Sequence, residues 1–316
     1  MGHFFHAVGV FFQHLAAVRW EFLGYAIGCH VLKLLFRAYA WRAIVNAAYP
    51  DERLKYRTAF GAYIAGVGVN SIVPARGGDV VKLYLVKHRL PNSSYATLAP
   101  TLIVETMLDF VVAGAIIVWA MTSGVLPTHE IYSRIPTVDW KFFLRHERFT
   151  GILLGVLVLA IVVGFLWVRS RMDDFRAHVG QGFAILRDRS ALVRGVVVPQ
   201  AISWIFRIAS LYFFLKAFGV TATIHNALLA QVVDSLATLF PATPGGAGTK
   251  QGLTEFLFRG RGVSHTLLLA FSVGMNIAIV VVNVLLGLAA IGLMARTLSF
   301  KRLRHAARGD EQEQTA

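Results

Sequence analysis

Two glycine-rich breaks beside basic side chains are the parts of this sequence best suited to binding an anion. The first contains Asn70, Arg76, Gly77, Gly78, Asp79 and Lys82, around Pro74. A helix that starts after such a break directs its free N–H groups, the positive end of its dipole, toward the break. Arginine can also bind a phosphate through two parallel hydrogen bonds. The alternative interpretation is an ion pair between Arg76 and Asp79, with glycines that only permit close packing.

The second break has the same character in the other half of the chain. It contains Gly245, Gly246, Gly248 and Lys250, after Pro244. It is not a nucleotide-binding P-loop, because the Gly-Lys-Ser/Thr order is missing. We predict a substrate-facing turn that opens a short helix, with a purely structural break as the alternative.

Ionisable residues inside apolar segments form a third group. They are Lys33, Arg37, Glu105, Asp109, Arg207 and Asp234. An unpaired charge at the bilayer centre costs about 2.5 to 3.5 kcal/mol, so such residues usually face a cavity or each other. Glu105 and Asp109 share one helix face and could either pair with Arg37 or take up a coupling proton. Lys33 is consistent with snorkelling toward a helix end.

Patterns typical of enzymes and metal sites are absent from the sequence. There is no Gly-x-Ser-x-Gly elbow and no His-Glu-x-x-His motif. The single cysteine, Cys29, excludes an intramolecular disulfide and a cysteine-based metal site. We therefore predict no catalytic residue, no metal and no cofactor.

Composition indicates that this chain lies in a membrane. Hydrophobic residues make up 56% and charged residues 15%, whereas soluble domains carry about 25% charged residues. The mean hydropathy is +0.60. The net charge of +14 is scattered between apolar segments, which argues against a nucleic-acid partner and suits basic loops on the cytoplasmic side.

The positions of apolar segments predict five full spans and two interrupted ones. The full spans are expected near 20–45, 96–122, 150–168, 194–218 and 266–295. Residues 58–73 and 225–240 are each followed by a break and a short amphipathic continuation, so each predicts two short helices. Residues 1–19 are predicted to form an interfacial amphipathic helix.

The distribution of lysine and arginine predicts which side each connection occupies. Basic residues place 46–57, 82–92, 169–194 and the basic, then acidic, tail 296–316 in the cytoplasm, and 123–149 outside. Both interrupted segments must then begin and end on one side. The sequence therefore predicts two re-entrant hairpins.

The order of elements suggests an internal repeat within a single transmembrane domain, 20–295. The halves are about 20–122 and 194–295, with 150–168 as an extra span. An offset of 170 aligns Pro74 with Pro244 and Arg37 with Arg207. Because the halves start on opposite sides, the predicted fold is an all-α membrane bundle whose two broken-helix hairpins are related as inverted repeats, as in many transporters.

At these hairpins the sequence resembles the flippase-like membrane family typified by the transmembrane region of lysylphosphatidylglycerol synthase. The resemblance lies in residues 63–70, 74–82 and 241–248, together with the arginine-tryptophan pattern at 37–42. It extends over roughly 20–295 and implies lipid translocation rather than lipid aminoacylation. Gln251 departs from the family pattern, which has an acidic residue shortly after the second break.

These observations favour a non-enzymatic transporter that moves an anionic lipid between the leaflets of a cell membrane through a central cavity, with the C-terminus in the cytoplasm. The lipid would be a phosphate-bearing lipid or a polyprenyl-phosphate-linked lipid. In this hypothesis the basic residues of both breaks, with Arg37 and Arg207, hold the phosphate. The carboxylates Asp79, Glu105, Asp109 and Asp234 balance charge or carry protons. The alternatives are an intramembrane enzyme acting on a lipid phosphate and a scaffold that partners a lipid-modifying enzyme.

Overall fold

The computed structural model describes residues 17–73, 76–122, 179–239, 248–258 and 263–313. Within these ranges the regular structure is helical, without a β-strand. The longer helices are α1 (Trp20–Ala48), α2 (Tyr56–Asn70), α3 (Gly77–Lys87), α4 (Tyr95–Thr122), α5 (Arg189–Ala217), α6 (Ile224–Leu239), α7 (Thr249–Phe258) and α8 (His265–Glu313). The all-α prediction is confirmed for the described part of the chain.

Three of the described helices contain stretches long and apolar enough to cross a membrane. These stretches are Tyr95–Ala120 in α4, Arg189–Ala217 in α5 and His265–Met294 in α8. Helix α1 has comparable length, 29 residues, but carries Lys33, Arg37 and Arg42 within it. The protein is therefore an all-α membrane protein, and α1 is a long helix that carries basic residues between its ends.

Helices α1 and α5 pack against each other along their length and run antiparallel. The backbone N–H of Arg19, before α1, donates to the carbonyl of Ala217 at the end of α5 (2.9 Å). At the other end of the pair, Gly195 of α5 lies against the Ala43 side chain of α1. An inverted repeat requires this antiparallel arrangement of its first helices, but the repeat itself stays a prediction.

Helices α2 and α3 form a hairpin that lies against α8. The predicted break separates them, and a Cβ added to Gly78 would meet the Gly66 carbonyl oxygen at 2.0 Å. Gly68 of α2 also packs closely on Gly287 of α8, where an added Cβ would meet Gly287 Cα at 2.8 Å. Glycine at these positions is thus what allows three backbones to meet.

Both arms of this hairpin return to the same part of α8, at the end of its apolar stretch. Gly61 of α2 lies against the Met294 side chain, and Arg89, just after α3, donates to the Met294 carbonyl (3.2 Å). The hairpin tip reaches Asn283, whose amide donates to Ser71 (3.1 Å). Eleven residues separate Asn283 from Met294, about 17 Å along a helix.

The second hairpin, α6 and α7, also packs on helices from both halves of the sequence. Helix α6 contacts α4 and α5, and α7 contacts α8. His225 at the start of α6 packs edge-on against Trp119 near the end of α4 (5.6 Å between ring centroids). Each hairpin therefore packs partly on a helix from the other half of the sequence.

Several predicted elements lie outside the described residues. These are most of the interfacial helix at 1–19, the outer connection at 123–149, the extra span at 150–168, and Gly245 and Gly246 in the second break. In the predicted tail, α8 continues as a helix from the apolar stretch to Glu313. Re-entry of the two hairpins into a membrane remains a prediction.

Candidate functional site

A first charge cluster joins α1, α2, α3 and α4. It consists of Arg37, Tyr63, Lys82, Glu105 and Asp109. The Arg37 guanidinium donates to Glu105 (3.0 Å) and, through both terminal nitrogens, to Asp109 (3.0 and 2.5 Å). Its Nε donates to the Tyr63 hydroxyl (2.6 Å), which donates in turn to Glu105 (2.7 Å). Of the two roles weighed for the acidic pair, ion pairing with Arg37 is the one present in this structure.

Lys82 enters the first cluster from the hairpin and is 4% exposed. Its ammonium donates to the second carboxylate oxygen of Glu105 (2.7 Å). It also lies over the rings of Trp41 and Tyr63, 4.0 and 4.2 Å from their centroids. Two cations, Arg37 and Lys82, thus face two carboxylates, so the first cluster is balanced.

A second charge cluster joins α5, α6 and α7, and consists of Arg207, Gln231, Asp234 and Lys250. Arg207 donates to Asp234 (2.7 Å) and to the Gln231 side-chain oxygen (2.6 Å). Lys250 forms a salt bridge with the other Asp234 oxygen (2.5 Å). Two cations here share one carboxylate, so the cluster carries an excess positive charge among the described residues.

The second cluster is more accessible than the core of the first. The side chains of Arg207, Asp234 and Lys250 are 22%, 26% and 19% exposed to solvent. Those of Lys82 and Glu105 are each 5% exposed. An anion can therefore reach the second cluster with less rearrangement.

Aromatic side chains connect the two clusters. The indole N–H of Trp204 donates to Asp109 in the first cluster (3.2 Å), and the same ring lies 4.8 Å from the Arg207 guanidinium carbon in the second. Phe36 and Phe206, which precede the two arginines, stack at 5.7 Å. The two arginines aligned by the sequence offset thus lie on either side of an aromatic contact.

The first hairpin tip is organised by its own side chains. Asn70 accepts from the backbone N–H of Gly78 (2.7 Å) and donates to Asp79 (3.3 Å). Arg76 has a left-handed backbone (φ 59°), a 63% exposed side chain and a salt bridge from Nε to Asp79 (2.9 Å). Gly77 begins the following helix and packs on the side chain of Val73. The ion-pair alternative for Arg76 is present, and its side chain remains open to a ligand.

In the second break, the described part begins at Gly248. This residue has a left-handed backbone (φ 85°), and its N–H donates to the side chain of Gln251 (2.6 Å). Gln251 therefore caps the start of α7 with a neutral oxygen where the family pattern has an acid.

Lys33 lies between the clusters and does not snorkel to a helix end. Its ammonium contacts His30 Nδ1 (3.2 Å), one turn away in the middle of α1. The charges of Arg207, Arg37 and Lys250 all act on it, as does that of Asp234. Among the described residues, no carboxylate forms a salt bridge with Lys33. Sequence reasoning did not assign it to the site.

Sequence reasoning also missed the uncharged partners of the clusters. These are Tyr63, Trp41, Trp204 and Gln231, with His30 and Asn283 beside Lys33. One available signal was the spacing of positions 30, 33, 37 and 41, which places polar and aromatic residues on one face of a helix. For the partners on other helices the sequence contains no comparable signal.

The apolar helices and the charged interior together define a polytopic helical membrane protein. A family model described as the lysylphosphatidylglycerol synthase TM region matches residues 4–287. The chain belongs to this family, which confirms the resemblance inferred from the hairpin motifs. It is also 22% identical over 209 residues to a UPF0104 membrane protein from Methanocaldococcus jannaschii, a match that covers 63% of this chain and 82% of that one. No solved structure matches the chain.

Proposed function

We propose that this protein moves an anionic, phosphate-bearing lipid between the leaflets of a cell membrane, with its C-terminus in the cytoplasm. The observation that carries the proposal is the second charge cluster, in which Arg207 and Lys250 share Asp234. An excess cation inside a membrane domain is costly unless an anion binds there. A lipid phosphate supplies such an anion.

The depth of the first hairpin supports a site reached from the bilayer. Its tip contacts α8 about 17 Å from Met294, which is more than half of a hydrocarbon core of about 30 Å. Broken backbone at such depth is tolerated where it is buried in protein or lines a polar cavity. In this proposal, Arg76 and the helix start at Gly77 and Gly78 meet the phosphate from one side, and the second cluster meets it from the other.

In this proposal the first cluster, whose charges are balanced, does not change its pairing during transport. Its five side chains hold α1, α2, α3 and α4 together, whereas the more exposed second cluster exchanges its pairing with the substrate. Movement of the halves against each other would then alternate access to the two leaflets. Asp234 is the carboxylate that loses a partner when the phosphate binds, so it is the proposed place for charge or proton coupling.

The family supports a lipid as the substrate. The matched region is the membrane part of an enzyme named for a phospholipid, lysylphosphatidylglycerol. The match is to the transmembrane region of that synthase, so a non-enzymatic role is part of the proposal.

Arg76→Gly is the variant that tests the phosphate contact. Glycine adopts the left-handed backbone of position 76 without strain, so the change removes the guanidinium and keeps the turn. Loss of a charge-assisted hydrogen bond worth about 1.5 to 3 kcal/mol should weaken lipid affinity about 10- to 150-fold. Arg76→Lys should recover part of the loss, because a point charge lacks the fork of arginine.

The measurement is headgroup accessibility of fluorescent phosphatidylglycerol in reconstituted vesicles, with fluorescent phosphatidylcholine as the zwitterionic comparison. Arg53→Gly, at an exposed arginine in the loop before α2, is the matched control and should transport at the wild-type rate. Full transport by Arg76→Gly, or equal rates for the two lipids, would refute the phosphate site. Transport of neither lipid by the wild-type protein would refute the function and favour the scaffold alternative.

A further inference from the structure

Lys33 is the charged side chain that the two clusters leave without a counter-ion. Its neighbours are predominantly cationic, since Arg207, Arg37 and Lys250 act on it against one carboxylate, Asp234. Among the described residues, its ammonium forms a hydrogen bond with His30 alone. An ammonium that lacks a carboxylate partner inside a membrane domain is costly, and an anion bound there would offset that cost.

A chain of hydrogen bonds runs from Lys33 to the tip of the first hairpin. We call Lys33, His30, Asn283 and Ser71 the polar bridge. A lysine ammonium can only donate, so His30 Nδ1 accepts and Nε2 carries the proton. Nε2 then donates to the Asn283 oxygen (2.8 Å), and the Asn283 amide donates to Ser71 (3.1 Å). The Ser71 hydroxyl completes the chain at the Val67 carbonyl (3.0 Å).

The bridge fixes Lys33 and leaves donors for a ligand. Lysine has three N–H donors, and among the described residues one of them is used, at His30. His30 and Asn283 are 5% and 7% exposed, so their orientation is set by packing as well as by hydrogen bonds. Lys33 is therefore held beside the second cluster with two donors available.

From this geometry we infer that Lys33 binds the phosphate of the transported lipid between the two charge clusters, and that His30, Asn283 and Ser71 are positioning residues for it. The inference rests on the proposed function and adds a binding residue to the site. It also links that residue to α8 and to the hairpin tip, the elements joined by the bridge.

Lys33→Met provides the direct test. Methionine has a similar length, and removal of this ammonium leaves no carboxylate partner behind among the described residues. The variant should therefore remain folded, with an unfolding temperature in detergent at or above that of the wild type. Its affinity for dihexanoyl-phosphatidylglycerol, measured by calorimetry, should fall about 10- to 150-fold. Lys33→Arg should retain most of the affinity.

Lys216→Gln is the matched control. Lys216 lies at the end of α5 over the rings of Phe22 and Tyr212, away from the bridge, and its loss should leave binding unchanged. Adding Asn283→Leu to Lys33→Met should cause no further loss of affinity, whereas Asn283→Leu alone should weaken binding about 2- to 12-fold. An additional loss in the double variant would refute positioning through Lys33.

The outcomes separate this inference from the proposed function. Wild-type binding of the lipid, with Lys33→Met within twofold of it, would overturn the role of Lys33 and leave the transporter intact. Failure of the wild type to bind dihexanoyl-phosphatidylglycerol would overturn both. Binding of inorganic phosphate but not of the short-chain lipid would refute a lipid site, and equal binding of dihexanoyl-phosphatidylcholine would refute recognition of net charge.

Discussion

Glu105→Gln should destabilise the protein by leaving Lys82 as a buried, unpaired cation. The Glu105 carboxylate accepts from Tyr63, Arg37 and Lys82, and both Glu105 and Lys82 are 4% exposed. Arg37 keeps Asp109 as a partner in the variant. Among the described residues, Lys82 forms its salt bridge with Glu105 alone, so glutamine removes the carboxylate with which it pairs.

The expected loss is about 3 kcal/mol of unfolding free energy. Removing one partner of a buried ion pair typically costs about 3 to 5 kcal/mol. The lower end applies because glutamine keeps one acceptor oxygen and because Trp41 and Tyr63 still present their ring faces to the ammonium. Adding Lys82→Met should restore most of the stability, since well-packed apolar residues often replace a buried pair without loss.

The assay is reversible unfolding in mixed micelles by titration with dodecyl sulfate, with helix content as the signal. The four proteins of the double-mutant cycle give the coupling between the two side chains. Asp51→Asn, at an exposed carboxylate in the loop before α2, is the control and should stay within about 0.5 kcal/mol of wild type. A Glu105→Gln loss below about 1 kcal/mol, or a double variant no more stable than the single one, would refute the reasoning.

Three further predictions concern the same framework. Asp109→Asn should cost about 1 to 2 kcal/mol, less than the glutamate change because its arginine partner keeps another carboxylate; the same titration measures it. Gly78→Ala should cost about 3 kcal/mol or more, because the new Cβ meets a backbone oxygen at 2.0 Å. Gly24→Ala, inside α1, meets nothing within 4 Å and should be neutral or stabilising by up to about 1 kcal/mol. Cysteines at the exposed positions His88 and Thr221, in a background without the native cysteine, should be labelled from opposite sides of the membrane; labelling from one side would contradict the predicted topology.

The two breaks could be predicted from sequence because their cause is local. Proline and glycine interrupt a helix whatever surrounds them, so α2 ends and α3 begins where the sequence indicated. Helix α1 was also predicted, although its lysine and arginines lower its hydropathy. The basic and acidic residues of the clusters were found for a similar reason, since a charge inside an apolar segment is conspicuous by itself.

The partners of those charges could not be predicted, because they depend on how distant helices meet. Tyr63, Trp204 and Gln231 are ordinary residues for an apolar or amphipathic helix, and their roles arise from contacts with residues 24 to 95 positions away. From sequence alone, Lys33 was also consistent with snorkelling toward a helix end. Its contact with His30, and that of His30 with Asn283, follow from the packing of α1 on α8.

The packing of α2 against α8 has a consequence for synthesis of the chain. Ser71 and Asn283, which meet at the hairpin tip, are 212 residues apart. At translation rates of about 5 to 20 residues per second, α8 emerges roughly 10 to 40 seconds after the hairpin it covers. During that interval Gly68 of α2 and Ser71 at the hairpin tip have only earlier parts of the chain, lipid or the insertion machinery as neighbours. Chains that stop before α8 should therefore be recognised as incomplete and degraded, even though they already contain both glycine breaks.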